Sequence, residues 1–182
     1  MSVDDRRAMI IEAVIPLLLE RGREVTSREI AEAAGIAEGT IFRAFGDKES
    51  LITAAVDSFM AARQAEGSIP IDRDLPVQAK VHQLTELMRH RVRDVMRMAA
   101  IGGQNIRRTP HAEQADGLNR QIAELFAGNE HELRVTPERI GTFVRAIAIA
   151  SSIPTLDGAG QVGLEEYIDV LQYGVLTTTT EE

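Results

Sequence analysis

Cysteine is absent from this chain of 182 residues. Its absence excludes disulfides, thiolate zinc sites and a cysteine nucleophile. No apolar run approaches the roughly 20 residues that a membrane span requires. The first residues, MSVDDRR, carry two acids where a signal peptide would carry a net positive charge. We therefore expect a cytoplasmic protein that makes no contact with a membrane.

Basic residues are scarce relative to acidic ones. The chain has 20 lysines and arginines against 28 acids, a formal net charge of -8. A protein that coats nucleic acid nonspecifically needs a surplus of cations facing the phosphates, so the acidity argues against that mode. Sequence-specific binding needs only a local face of the right sign and is not excluded. A hydrophobic fraction of 44% is typical of a folded chain.

Motifs for catalysis and for cofactor binding are also lacking. The histidines, at positions 82, 90, 111 and 131, show no HExxH spacing. Neither a glycine-rich phosphate loop nor a nucleophile elbow occurs, and His111 with Glu113 is too ordinary a pair to propose as a metal site. We expect a protein that is not an enzyme and that holds no metal or cofactor.

Apolar residues recur at helical spacing along the chain. Ile10, Ala13, Val14 and Leu17 follow the series of an amphipathic helix. Comparable series follow, and no segment predicts a strand, so we expect an all-α fold of about nine helices. Glycine and two prolines in residues 66–76 indicate a connection, after which one long helix is predicted.

Two short helices and a tight turn are predicted near the N-terminus. Thr26 with Glu29 matches a capping box, which predicts a helix from Ser27 onward. Gly35 supplies the permissive backbone of a helix end, and a second helix should run from Glu38 to about Phe45. This is the sequence form of a helix-turn-helix, although an ordinary helical corner has the same spacing.

The second short helix combines an inward apolar side with a small or polar edge. Ile41 and Phe45 are four residues apart and can face inward. The other edge consists of Glu38, Gly39, Thr40 and Arg43. An arginine can bond guanine in the major groove, and a glycine has no side chain to hold the helix away from the phosphate backbone. This composition favours the DNA-binding interpretation of the corner.

The stretch REIAEAAGIAEGTIFRAFGDKESL, residues 28–51, resembles the DNA-binding region of TetR/AcrR-type transcriptional regulators. The AxxAG turn, the GT pair, the aromatic residue two positions later and the following KExL occur together and without gaps. The resemblance implies an all-helical homodimer. Its helix-turn-helix domain would occupy residues 1–50, with a connecting helix from about 47 to 65, and a helical ligand-binding and dimerisation domain would occupy 51–182.

The resemblance also implies the partners and the DNA contacts. The partners are a palindromic operator in double-stranded DNA and an unknown small-molecule effector, which would release a repressor from that operator. The implied DNA-binding residues are Thr26, Arg28, Glu38, Gly39, Thr40, Phe42, Arg43 and Lys48. Helix starts such as that at Lys48 suit phosphates, and the second short helix suits base edges.

Three departures from the family pattern weaken the predicted contacts. Ala37 stands where serine is usual and forfeits a side-chain cap. Phe42 stands where tyrosine is common and lacks a hydroxyl for a phosphate. Residues 1–50 also hold seven basic residues against ten acidic ones. We expect affinity that depends on the dimer and falls sharply with salt.

The remaining residues predict a pocket and an interface, with ordinary intrachain core as the alternative for both. Flexible and aromatic side chains suited to an apolar pocket are Met88, Met96, Met98, Phe126 and Phe143. The resemblance suggests that the last two helices of each subunit form a four-helix bundle through Ile147, Leu164, Ile168 and Leu171. The row Arg89, Arg93 and Arg97 is either a solvated face or a binding site for an anionic group.

A second function stays open at this point. A helical protein-interaction module that does not bind DNA would keep the same helical corner. The acidic N-terminal domain and the missing tyrosine hydroxyl at Phe42 favour this alternative.

Overall fold

A computed structural model describes residues 2–65, 69–103, 111–152 and 164–175 of the chain. Over these ranges the fold is all-α, as predicted, with eight α-helices and no β-strand. The helices are α1 (Val3–Arg21), α2 (Ser27–Ala34), α3 (Glu38–Phe45), α4 (Lys48–Ala65), α5 (Val77–Gly102), α6 (His111–Leu125), α7 (Pro137–Ala150) and α8 (Leu164–Val175). Short 3₁₀ turns occupy Gly22–Glu24 and Glu130–Glu132.

Helix boundaries near the N-terminus follow from local capping. The Thr26 hydroxyl accepts a hydrogen bond from the Glu29 N–H at 3.2 Å, and the Glu29 carboxylate accepts one from the Thr26 N–H at 2.8 Å. This confirms the predicted capping box of α2. Asp47 accepts a bond from the Ser50 N–H at 2.7 Å and starts α4 in the same way.

Boundaries in the C-terminal half were predicted less well. α7 begins at Pro137 after an extended Thr136, as the proline at the first helical position predicts. Pro154 is the next residue that cannot continue a helix, so the sequence alone predicts an end near it, whereas α7 ends at Ala150. Thr109 followed by Pro110 is a sequence signal for a helix start, but both residues lie outside the described ranges, and α6 is described from His111.

The chain divides into two compact units. The first takes in Met1–Glu66 and Asp94–Arg108, and the second takes in Gly67–Arg93 and Thr109–Glu182. The boundary therefore falls within α5, between Arg93 and Asp94. Among the helices described, none is long and apolar enough to cross a membrane.

The core of the first unit is formed by α1 to α4 together with the last part of α5. Its fully buried side chains include Ile10, Val14, Leu18, Ile30, Ile41, Leu51, Ile52 and Met98. The apolar face predicted for α1 is thus its core face. This packing holds α2 and α3 on α1 and α4, so that the outer edge of α3 is left facing solvent.

The second unit has a separate core, formed by α5 up to Arg93 together with α6, α7 and α8. Its buried side chains include Val81, Leu84, Met88, Ile122, Phe126, Ile140, Val144 and Leu171. The Lys80 side chain is only 2% exposed, and its Nζ donates to Asn129 Oδ1 at 2.7 Å. That bond ties the first turn of α5 to the turn after α6 and satisfies a buried donor.

Candidate nucleic-acid interface

The turn between α2 and α3 is built on Gly35. Its φ of 64° and ψ of 34° are left-handed, a conformation that a side chain disfavours. The Gly35 N–H bonds carbonyls in the last turn of α2, and the Ile36 N–H donates to the Ala31 carbonyl at 3.0 Å. These bonds satisfy the open end of α2 and turn the chain directly into α3.

α3 has one buried side and one exposed side, as the sequence predicted. Ile41 and Phe45 are 0% and 8% exposed and belong to the core of the first unit. On the other side, the exposed residues are Glu38, Gly39, Phe42 and Arg43, with Thr40 half-buried beside them. Phe42 is 46% exposed. The accessible edge thus joins an apolar ring, a cation and a position without a side chain.

No described part of the chain requires a glycine at position 39. A Cβ built on its backbone would meet no heavy atom within 4 Å. Its φ also lies outside the left-handed region, because every positive-φ glycine described is another residue. A glycine in the first turn of a helix weakens that helix, so its use here points to close approach by an external surface.

The helices before and after α3 in the sequence, α2 and α4, each begin with residues that were predicted to bind DNA phosphates. Thr26, at the start of α2, is exposed and serves as its cap. The Arg28 side chain is 82% exposed, and its Nε lies 3.0 Å from Glu32 Oε1. Lys48 opens α4 and donates from Nζ to the Arg23 carbonyl at 3.0 Å. All three side chains lie where free helix N–H groups favour an anion.

Several cations of the first unit are paired with carboxylates. Ion pairs join Arg21 to Glu29 and Arg23 to Glu49, and the pair with Glu32 raises the pKa of Arg28. Arg43 forms no ion pair with any side chain that the structure describes, which leaves its charge available. Pairing reduces the attraction for phosphates, in keeping with the acidic balance of this segment.

One contact of α3 was not predicted from the sequence. Arg7 in α1 donates to the Ala44 carbonyl at the end of α3, and its guanidinium lies over the Phe45 ring. No short sequence motif predicts this contact, because its residues are more than 35 positions apart in the chain. The signal that could have found it is the phase of α1, on which Arg7 precedes Ile10 and Val14 on the buried side.

The residues predicted to form an effector pocket are divided between the two units. Met88 and Phe126 lie in the core of the second unit, whereas Met98 lies in the core of the first. Met96 is half-buried, and Phe143 is 40% exposed. Met98 follows the unit boundary on α5, so it packs in the first unit, against α1 to α4.

A cavity of about 160 Å³ lies in the first unit. It is lined by Ile52, Val56 and Ile101 on its apolar side and by Arg23, Glu49 and Asp57 on its polar side. None of the predicted pocket residues lines it. This cavity was not predicted, because its walls come from segments distant in sequence: α4, the 3₁₀ turn and the end of α5.

The residues predicted for a dimer interface are mostly buried within the chain. Ile168 and Leu171 are 2% and 4% exposed, and Ile147 packs against the core of the second unit. Leu164 begins α8, but its side chain is outside the described part. The large apolar side chains that α7 and α8 do expose are Phe143, Ile149, Val170 and Tyr173. These exposed side chains lie one turn or less from the predicted ones.

Two helices at a glycine turn, with a short exposed second helix, define a helix-turn-helix protein. Residues 10–55 match the family model of bacterial regulatory proteins of the tetR family. The match supports the sequence resemblance for this N-terminal segment, which is about a quarter of the chain.

Two further proteins are similar to this chain. The chain is 38% identical over 66 residues to an uncharacterised HTH-type transcriptional regulator, YvkB, of Bacillus subtilis (strain 168). That match covers 33% of this chain and 35% of the relative, so it spans about a third of the relative's length. A TetR transcriptional regulator from Streptomyces coelicolor, SCO0520, has a similar structure, with a TM-score of 0.56 at 21% identity. The similarity covers 95% of this chain and 99% of that one, and it shows a shared fold.

Proposed function

We propose that this protein is a sequence-specific DNA-binding repressor that a small-molecule effector releases from a palindromic operator. The observation that carries the proposal is the exposed edge of α3, where Arg43 has no ion pair with a described side chain and lies near Gly39, whose Cβ would meet no described atom within 4 Å. Such an edge suits the major groove, where the backbone must come close and a guanidinium meets base edges. The protein would act in the cytoplasm, where its DNA lies.

The proposed contacts divide into base recognition and phosphate positioning. Arg43 and Thr40 would reach base edges from α3, with Glu38 and the Phe42 ring at the same edge. Lys48, Thr26 and Arg28 would bind phosphates at the starts of α4 and α2, where free N–H groups add to their polarity. Phosphate contacts position the protein on the duplex, whereas base contacts determine which sequence it prefers. Removing a phosphate-binding side chain should therefore weaken binding to every sequence, and removing a base-contacting one should reduce sequence preference.

Dimerisation would supply the rest of the affinity. One short helix contacts only a few base pairs, and a two-fold protein doubles the site on a palindrome. Val170 and Tyr173 are 68% and 74% exposed on α8, and Phe143 and Ile149 are exposed on α7. An apolar surface of this kind is suited to a four-helix bundle with the same pair of a second copy.

The effector would act on the second domain, residues 51–182, while residues 1–50 bind DNA. Met88 and Phe126, both in its core, remain the proposed pocket side chains, and opening of that core would admit the effector. The effector would favour a state with another separation of the two α3 helices, which shifts the population away from the operator-binding dimer.

A duplex-binding titration tests the proposal. A duplex is selected from a random-sequence pool by repeated binding to the natural protein, and the dissociation constant is measured at about 50 and 200 mM salt. Arg43→Ala should lower the binding free energy by about 1–3 kcal/mol and reduce the preference for one base sequence. Lys48→Ala should weaken binding to all duplexes alike. It should also reduce the salt slope, which is the slope of log K against log salt concentration, by about 1. Arg120→Ala, which removes an exposed charge from α6, is the matched control.

A protein-interaction module is the second candidate, because Phe42 exposes an aromatic ring on the same edge. Exposed aromatic rings are frequent anchors in protein interfaces. Selection of no preferred duplex by the natural protein would overturn the repressor and favour this alternative.

A further inference from the structure

Two arginine side chains cap the C-terminal ends of α1 and α5, each from the opposite segment. Arg97 in α5 donates from Nη1 to the Leu19 carbonyl in the last turn of α1, at 3.0 Å. Arg23, just after α1, donates from Nη1 to the Ile101 carbonyl in the last turn of α5, at 2.5 Å. The last four carbonyls of a helix have no partner within it, and cations are favoured there. Each helix end is thus satisfied by a side chain from the other segment.

Arg23 has two further contacts that lead to the DNA-binding residues. Its second terminal nitrogen, Nη2, pairs with the Glu49 carboxylate in the first turn of α4. Its own carbonyl accepts the hydrogen bond from Lys48 Nζ at 3.0 Å. One residue therefore bonds the last turn of α5, the first turn of α4 and the ammonium proposed to bind a phosphate.

The end of α5 is a significant place for such an attachment. α5 is one helix from Val77 to Gly102, and its residues up to Arg93 belong to the second unit. From Asp94 onward it belongs to the first unit, where Met98 and Ile101 pack in the core. A residue bonded to this end is attached to an element that both units share.

We propose that Arg23 is a positioning residue that fixes Lys48 to the C-terminal end of α5, and so ties phosphate binding to the position of that helix. This inference rests on the proposed DNA-binding function. Lysine carries its charge on a flexible four-carbon stem, so a phosphate contact is stronger when the ammonium is already held. A movement of the last turn of α5 would shift Arg23, and with it the carbonyl that holds Lys48.

A double-mutant cycle on the selected duplex tests the link. Arg23→Ala should weaken binding by about 5- to 10-fold in the natural background and change it by less than about twofold in the Lys48→Ala background. The salt slope should fall by about 1 in either single variant and no further in the double variant. A purely structural or general charge effect would be the same in both backgrounds.

Arg21→Ala is the matched control for charge. The Arg21 and Arg23 side chains are both 51% exposed and both pair with a carboxylate, but Arg21 bonds Glu29 at α2 instead of α5 or α4. Arg21→Ala should therefore reduce the affinity for the duplex by the same factor in the natural protein and in the Lys48→Ala variant. Arg23→Lys keeps the charge but has no planar fork for two acceptors at once, so it should weaken binding nearly as much as Arg23→Ala.

The outcomes separate the two proposals. If the natural protein selects a duplex and Lys48→Ala weakens it, but Arg23→Ala weakens both backgrounds equally or has no effect, the positioning role is overturned while the repressor stands. Full activity of Arg23→Lys would also overturn it, since charge alone would then suffice. If the natural protein selects no duplex, the proposed function fails and this inference fails with it. Far-UV circular dichroism confirms that each variant is folded.

Discussion

The guanidinium carbon of Arg7 lies 4.3 Å from the centre of the Phe45 ring. The same side chain donates to the Ala44 carbonyl, so α1 holds both the last aromatic residue of α3 and its open C-terminal end. A cation over an aromatic face is attracted by the ring quadrupole, and a cation at a helix C-terminus is favoured by the helix dipole. The placement of the proposed recognition helix thus depends on a residue far from it in sequence.

Arg7→Ala should destabilise the fold by about 1–2 kcal/mol, because it removes the ring contact and leaves the Ala44 carbonyl without this donor. Urea unfolding followed by circular dichroism measures the free energy. Arg6→Ala removes the neighbouring, exposed arginine and should change it by no more than about 0.5 kcal/mol. Equal effects of the two substitutions would show that Arg7 contributes only its charge.

Gly39→Ala should separate stability from DNA binding. The added Cβ meets nothing within 4 Å, so the substitution should stabilise α3 by up to about 1 kcal/mol. It should also weaken binding to the selected duplex, because the added methyl group would hold α3 away from the DNA backbone. Gly117→Ala in α6 also places its Cβ in open space and should stabilise the protein without altering the dissociation constant. A Gly39→Ala protein that binds DNA as tightly as the natural one would contradict the close approach.

The capping box of α2 should make the fold sensitive to acid. The Thr26 backbone N–H, and then its hydroxyl, hold the pKa of Glu29 below its ordinary value of 4.5. A lowered pKa in the folded state adds stability above the unfolded value, and this is lost as pH falls through the folded one. The melting temperature of the natural protein should therefore exceed that of Glu29→Gln at neutral pH.

The difference between these two proteins should narrow as pH falls below about 4.5 and vanish once Glu29 is protonated in the folded state. Melting curves between neutral pH and about pH 3 give the comparison. Glu24→Gln, at an exposed carboxylate outside the cap, should show no such convergence. A gap between the natural protein and Glu29→Gln that stays constant with pH would exclude the cap as its source.

Local signals were sufficient to predict α2, α3 and the start of α4. A capping box, a glycine in the left-handed region and a second cap at Asp47 each act within a few residues, so α2, α3 and the start of α4 were placed correctly. The same short range explains what was missed. The Arg7 contact with Phe45 and the Arg23 contact with Ile101 join residues brought together only by packing, which no spacing rule encodes.

Helical periodicity identified the apolar side of each helix, but it did not predict which core or interface that side packs against. Met88 and Met98 both lie on α5 at apolar positions, yet they enter different cores because the unit boundary falls between them. Ile168 and Leu171 have the spacing of an interface, and that spacing is equally the spacing of the intrachain core in which they lie. Exposure in the folded chain is what points to Val170 and Tyr173 instead.

Val170→Glu should dissociate the proposed dimer. The side chain is 68% exposed on α8, so a charge there is tolerated by the single chain but would be buried in an α7–α8 bundle. Sedimentation velocity over a range of concentrations should show the variant as a monomer where the natural protein is a dimer. Val3→Glu, at a valine 72% exposed on α1, should leave the dimer intact. A dimeric Val170→Glu protein would place the interface elsewhere.

Gly141 should be required by the close packing of α6 against α7. A Cβ at this buried position would lie 2.6 Å from Cδ1 of Ile122, whose side chain is fully buried. Gly141→Ala should therefore destabilise the second unit by about 1–2 kcal/mol, despite the better helix propensity of alanine. Ile122→Val alone should cost about 1 kcal/mol, because it leaves a small void.

The double variant Gly141→Ala with Ile122→Val decides between crowding and a general effect of the methyl group. Valine lacks Cδ1, so the new Cβ would fill the space that the substitution opens, and the double variant should be about as stable as the less affected single one. Urea unfolding of the four proteins gives the coupling free energy. If the two losses simply add, Ile122 moves aside freely and the glycine is not needed for the contact between α6 and α7.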